Sequence, residues 1–285
     1  MFMNRNEILK NIEVVVSDID GTLLSDQGII DKESQKLISQ LPKHGVHFTV
    51  ATGRLHSAIT DLAIDLRIDI PIISMDGALI KSHSDDKVLF ESFVKEKYVR
   101  KAITLADTFL LNIALCHDDA IFFTEKNSVI PQVMEKFGAR YEEVFSYDDY
   151  CDRTLEVVFA SDFRDNLKYV YNKLGFPYTY GLDRSYFRSQ SKENIYYLEI
   201  RNKGTSKGMG FRRLLKYLKI KENRSAVIGD WYNDLSLFEI GGYKVAVSNA
   251  VAEIKRKADF ITTGDNNSGG VAEFIEMILK AKSSL

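Results

Sequence analysis

Four short stretches hold the residues best placed to do chemistry. The first is VVVSDIDGTLLS, residues 14–25, where an apolar run ends in Asp18, Asp20, Gly21 and Thr22. A carboxylate at the end of a buried run is costly unless something binds it. Asp18 and Asp20 are two residues apart, so in an extended chain they point to one side. Gly21 lets the backbone turn sharply and approach a ligand closely. The stretch can equally be a surface turn, because Asp and Gly turn readily. A calcium loop is excluded: its glycine comes sixth, after a helix, whereas here glycine is fourth and follows a strand.

The second stretch is TVATGR, residues 49–54, a strand expected to end beside the first. The Thr52 hydroxyl and the Gly53 N–H can hold a phosphate oxygen, or Thr52 can simply cap a helix. The third is GTSKGMG around Lys207, at the start of an amphipathic helix. It is not a P-loop, which needs GxxxxGK[ST]. A solvated linker lysine is the plainer reading. The fourth, VIGDWYNDLSLFE, sets Asp230, Asn233 and Asp234 directly behind a strand. A helix start accounts in part for Asp234, but not for Asp230. Trp231 and Tyr232 read as packing or rim residues. Taken together, the stretches offer carboxylates, a hydroxyl, an amide and an ammonium. Mg²⁺ prefers oxygen ligands, often one or two carboxylates with water and a substrate phosphate. Asp18 and Asp230 are the candidates to hold it, with Asp20 giving its carbonyl and keeping its side chain for other work. Such a cation offsets repulsion between an anionic nucleophile and phosphate.

The elements that must position these residues are short strands alternating with amphipathic helices. Strands are expected at 13–17, 46–51 and 70–74. Helices are expected at 31–44, ending at Gly45, and over Leu55, Ile59, Leu62, Ala63 and Leu66. That β-α-β-α-β order implies a parallel sheet covered by helices, with ligands outside the carboxyl ends of its strands. The same grammar returns late in the chain. There Phe211, Leu214, Leu215 and Leu218 mark a helix, 226–228 and 245–247 are strands, and Val271, Phe274, Ile275 and Ile278 mark a closing helix. The middle differs. It mixes helices near 102–110, 129–137 and 167–174 with the strands IFFT, LEVVFA and IYYLEI, and ten of the fourteen tyrosines fall between Tyr141 and Tyr197. We read a second α+β unit inserted into the first, its tyrosines serving strand packing before sugar stacking.

The 285 residues allow one large domain or two ordinary ones, and 45% apolar with 27% charged residues is a globular profile. A net charge of −2 without a basic run argues against nucleic-acid binding. No apolar run reaches the roughly 18 residues that cross a bilayer. The amino terminus lacks the apolar core of a signal peptide, and Cys116 and Cys151 are too few for a disulfide framework. A cytoplasmic location is expected.

In this order, the four stretches resemble the motifs of the haloacid dehalogenase (HAD) superfamily: DIDGTLL, TGR, Lys207 and GDWYND. An insertion between the second and third, with YKVAVSNAVAEIKRKADFIT and GGVAEFI near the end, resembles the Cof-type phosphatases with a type IIB cap. The resemblance implies a Rossmann-like core at 1–87 and 197–285 with an α+β cap at 88–196. It implies a Mg²⁺-dependent phosphatase acting on small phosphorylated metabolites, sugar phosphates foremost, through an aspartyl-phosphate. Asp18 would be the nucleophile and Asp20 the general acid and base. Thr52, Gly53, Lys207 and Asn233 would bind the phosphoryl oxygens. Asp18, Asp20 and Asp230 would hold the metal, with Asp234 behind them or as an occasional ligand. Arg184 and Arg188, in YGLDRSYFRS, are candidates for substrate contact. One residue departs from the group. Where it has Asn-Gly-Ala, this chain has Asp76-Gly77-Ala78, and an added carboxylate there repels phosphate unless it points away or is paired.

Two other functions remain open at the level of sequence. A phosphomutase or phosphotransferase would pass the phosphoryl group to another hydroxyl, and its mark would be a bisphosphate product with little free phosphate. A phospho-aspartate signalling module also uses acids, Mg²⁺, a Thr and a Lys, but lacks the second acid of the pair and the insertion. The substrate is expected to be a small phosphorylated molecule, not a nucleic acid or a membrane.

Overall fold

The first strand, β1 (Val14–Ser17), is buried along its whole length, so its sequence VVVS carries no polar alternation. It follows a short helix, α1 (Arg5–Lys10). The computed structural model describes residues 5–134, 138–189 and 192–283. After β1 come α2 (Lys32–Ile38), β2 (His47–Val50), α3 (Thr60–Asp65), β3 (Ile72–Ser74), β4 (Leu79–Lys81) and β5 (Val88–Glu91). Next are α4 (Glu96–Phe109), β6 (Asn112–Cys116), β7 (Ile121–Thr124), α5 (Ile130–Val133), β8 (Tyr141–Val144), β9 (Glu156–Ser161), α6 (Arg164–Lys173), β10 (Leu182–Arg188) and β11 (Tyr196–Asn202). The chain closes with α7 (Lys207–Leu218), β12 (Ser225–Gly229), α8 (Leu235–Ile240), β13 (Tyr243–Ala246), α9 (Ala252–Lys257), β14 (Phe260–Ile261) and α10 (Gly270–Ser283).

These elements form two compact units. The first comprises residues 1–53, 60–89 and 206–285; the second comprises 54–59 and 90–205. The first unit is built on a parallel sheet in the order β14-β13-β12-β1-β2. A single parallel bridge, Ala51 to Ile73, joins its edge to β3. Register decides where the chemistry can sit. Ser17 lies opposite both Ile228 and Val50. The chain therefore leaves β1, β12 and β2 at the same edge, carrying Asp18, Asp230 and Thr52 with it.

The second unit is a sheet in the order β10-β11-β9-β6-β7-β8, antiparallel except for β7 with β8. Val99, Ala102 and Ala106 of α4, with Leu167 and Val170 of α6, pack on Ile113, Val157, Phe159, Leu198 and Ile200 of its strands. β11 pairs along its length with β10, and as far as Arg201 with β9. It thus runs through the boundary expected at 196/197.

Some local expectations need correction. Residues 31–44 are not one helix. Asp31 caps α2 by accepting the Ser34 N–H at 2.9 Å, and a separate 3-10 turn covers Leu41–His44. Pro42 has no N–H for an α-helical ladder, so the helix ends before it. Pro71 likewise shortens the third strand to Ile72–Ser74. The helix expected at 129–137 is the single turn α5, and 135–137 lie outside the described residues.

Candidate active site

Asp18 follows β1, and its carboxylate is almost fully buried. Its Oδ1 accepts a hydrogen bond from Lys207 Nζ at 2.6 Å, and the same ammonium reaches Asp234 Oδ1 at 2.7 Å. Asp230 accepts the Thr22 hydroxyl on Oδ1 at 2.7 Å. Asp18, Asp230 and Asp234 each place a carboxylate oxygen within 4.8 Å of the others. Segments some 210 residues apart are thus held around one small volume.

Local structure explains the convergence. The strand leaves β1 into a turn at Gly21, whose φ is +78°. A Cβ there would sit 2.6 Å from Asp230 Oδ2, so only glycine permits the approach. Lys207 is the first residue of α7, capped by Ser206, whose hydroxyl oxygen accepts the Met209 N–H at 3.2 Å. Gly77, with φ +86°, leaves no room for a Cβ against the Ser206 carbonyl, so the Met75–Gly77 turn seats directly on the start of α7. Asp234 stabilises the turn after β12: its Oδ2 accepts the N–H of Asp230 at 3.0 Å and of Trp231 at 3.2 Å.

The electrostatics follow from burial. Removal from water, the charges of Asp234 and Asp230, and only partial relief from Lys207 hold the Asp18 pKa well above the ordinary carboxylate value. Burial also raises Asp230, to about 6, against the hydrogen bond from Thr22. For Lys207 burial disfavours the charge, yet Asp18, Asp234 and Asp76 outweigh it and hold its pKa above the usual lysine value. The cluster therefore carries more negative charge than its one ammonium balances. Its donors are all carboxylate oxygens, the set that suits Mg²⁺. Both oxygens of Asp234 are already used by Lys207 and by backbone N–H groups, so Asp18 and Asp230 are the better placed ligands.

The remaining candidates are placed as follows. The Asp20 side chain is exposed and is not among the three clustered acids. Thr52 is buried, and its carbonyl accepts the Asp76 N–H at 2.9 Å. Gly53 lies against the Asp76 carboxylate, both of whose oxygens would be 3.6 Å from a Cβ on Gly53. Asn233 donates from Nδ2 to Asp76 Oδ1 at 3.3 Å. Trp231 and Tyr232 are exposed, with Tyr232 bonded to Glu253 Oε2 at 3.2 Å. In the second unit, Arg184 donates to the Tyr171 carbonyl and lies 4.2 Å over the Tyr171 ring, so its guanidinium serves the end of α6. Arg188 is exposed.

The model of the haloacid dehalogenase-like hydrolase family matches residues 15–275. The chain belongs to that family. This haloacid dehalogenase-like hydrolase is 26% identical to phosphatase YwpJ of Bacillus subtilis, over 94% of this chain and 100% of that protein. It is also 26% identical to the B. subtilis 5-amino-6-(5-phospho-D-ribitylamino)uracil phosphatase YwtE, over 95% of this chain and 99% of the other. The crystal structure of a haloacid dehalogenase-like hydrolase from Bacteroides thetaiotaomicron superposes with a TM-score of 0.79 at 25% identity, covering 94% of this chain and 99% of that one.

Two residues of the hydrolase's site escaped sequence reasoning. Thr22 was visible only as the residue after a turn glycine. Asn249, whose Nδ2 donates to the Gly21 carbonyl at 2.7 Å, lies 228 residues away, in a stretch that was read for its resemblance and not for a site residue.

Proposed function

We propose that this hydrolase is a Mg²⁺-dependent phosphatase that acts on small phosphorylated metabolites, phosphorylated sugars or polyols foremost, through an aspartyl-phosphate on Asp18. The observation that carries the reading is the Asp18–Lys207–Asp234 triad beside Asp230, buried at the shared edge of β1 and β12. A nucleophilic carboxylate needs one oxygen held and the other aimed, and Lys207 holds Oδ1. Asp18, Asp230 and the Asp20 carbonyl would hold Mg²⁺, whose charge would offset repulsion between carboxylate and phosphate.

Asp18 attacks phosphorus and displaces the leaving oxygen. Asp20, whose carboxylate stands outside the acid cluster, protonates that oxygen and then takes a proton from the water that hydrolyses the acyl phosphate. Lys207, the Thr52 hydroxyl, the Gly53 N–H and the Asn233 amide hold the non-bridging oxygens as charge shifts. The polyol preference rests on the named substrate of YwtE, a phosphorylated ribityl group. The second unit is read as the cap that sets specificity. Within it Arg188 remains a candidate for substrate contact, while Arg184 is spent on α6.

A phosphate-release screen over sugar phosphates, polyol phosphates, nucleotides and cofactor phosphates tests this reading. Release is expected with Mg²⁺ and is lost with chelator. In Asp18→Asn it falls on the order of a thousandfold or more. Wild-type turnover in that variant would end the covalent mechanism.

A further inference from the structure

The departure at Asp76 has a physical consequence for the phosphoryl group this site accepts. Three successive residues are left-handed: Met75 at φ 50°, Asp76 at φ 49° and ψ 37°, and Gly77 at φ 86°. For the first two, which bear side chains, this is a strained conformation held by its surroundings. The Asp76 N–H is tied to the Thr52 carbonyl at 2.9 Å, and Gly77 is pressed against Ser206. The result is that a carboxylate only 7% exposed lies beside Gly53 and takes the Asn233 amide at 3.3 Å. Those are donors assigned above to phosphoryl oxygens. Among charged groups, Lys207 on α7 acts on Asp76, and Asp18 and Asp234 share that ammonium from β1 and the turn after β12. Thr52, Gly53 and Asn233 are uncharged.

A fully ionised phosphate ester has acceptor oxygens only, so an oxygen that meets the Asp76 carboxylate finds repulsion and no donor on that side chain. A singly protonated ester presents one P–O–H, which a carboxylate accepts in a strong charge-assisted bond. We propose that Asp76 makes this site select the singly protonated phosphoryl group by accepting its P–O–H on the carboxylate. The inference rests on the phosphatase reading and deepens it. Asp76 is then a specificity residue, and it works with the proton on the substrate.

The test compares wild type with Asp76→Asn and Asp76→Gly. Both replacements tolerate positive φ, so the turn is kept while the charge is removed. kcat/KM is measured from pH 5 to 9 with Mg²⁺, on two aryl phosphates of different second pKa. For wild type, kcat/KM should fall about tenfold per pH unit above each ester's own second pKa, near 6 for ordinary phosphoesters. The fall should shift as the ester changes. In both variants that substrate-dependent limb should vanish, giving at pH 8 about a tenfold or larger gain over wild type. Titration of Asp18 and Asp230 belongs to the enzyme and does not move when the ester changes, so the shift of the limb between the two esters separates the substrate's proton from theirs. In parallel, phosphate should inhibit the wild type better than sulfate, which has no proton to give in this range, and the variants should lose that preference. A limb that stays fixed when the ester changes, or that survives in both variants, overturns the proposal and leaves the phosphatase reading standing. Failure of the wild type to hydrolyse any phosphoester with Mg²⁺ overturns both.

Discussion

Thr22 bears directly on how firmly Asp230 can serve as a ligand. Its hydroxyl donates to Asp230 Oδ1 at 2.7 Å, in a place where both groups are buried. Thr22→Val keeps the shape and removes that donor, leaving a carboxylate oxygen short of a partner at a cost of about 1–3 kcal/mol. Residues that orient a metal ligand typically contribute 10–100-fold to metal affinity. The Mg²⁺ concentration for half-maximal activity should therefore rise by roughly that factor, and an unchanged Mg²⁺ titration would remove Thr22 from the site. At this scale the acids were legible because polar groups behind apolar strands have few structural uses, whereas Lys207, at a helix start, was singled out only by the family resemblance. It did not show Thr22, because a hydroxyl after a turn has many. Arg184 shows the opposite error. In LDRSYFR, Leu182 and Tyr186 pack on the core of the second unit. Strand alternation turns Arg184 to that same covered face, where it closes α6.

Among the elements, α7 matters most, because its first residue is Lys207. The first turn of a helix has N–H groups without internal partners, and Ser206 satisfies one of them at Met209. Ser206→Ala should cost about 1 kcal/mol. That corresponds to a drop of about 2–4 °C in Tm. Activity should fall with it, since Lys207 loses the fixed start that aims it at Asp18. A variant with lowered Tm and intact kcat would show that packing against the Met75–Gly77 turn suffices to seat the lysine. The helices and strands of the parallel sheet were legible because their apolar periods are strong. The break at Pro42 was readable as well, yet the stripe of Leu37, Ile38 and Leu41 masked it. Short elements such as β4, β14 and α9 carry two to six residues each, too few for a period to stand out.

For the molecule as a whole, the β-α-β order disclosed the parallel sheet and the change of composition disclosed a second unit. The extent of that second unit depends on long-range strand pairing. β11 belongs with β9 because of partners 35 to 45 residues away, which no local pattern encodes. With Mg²⁺ as the proposed ligand, long-range convergence should also tie folding stability to pH and metal. Asp18 and Asp230 bind protons more tightly in the folded chain than in an unfolded one, where the ordinary value is 3.8. Stability drawn from those protons is complete below about pH 4 and is lost as pH rises through the folded values, about 6 for Asp230. Metal-free protein should therefore lose stability as pH rises from about 4 through about 6, by an amount of order a few kcal/mol. Mg²⁺ needs the ionised carboxylates, so its contribution should grow across the same window. At a hundredfold excess over Kd it reaches about 2.7 kcal/mol. Thermal melts with chelator and with Mg²⁺ at pH 5 and pH 7.5 measure both slopes. The Mg²⁺ shift should be small at the lower pH and several degrees at the higher. In Asp230→Asn one titrating acid and one ligand are gone, so the metal-free decline should flatten and the Mg²⁺ shift shrink together. If that variant keeps the wild-type dependence on both, the buried acids are not what couples this fold to metal and pH.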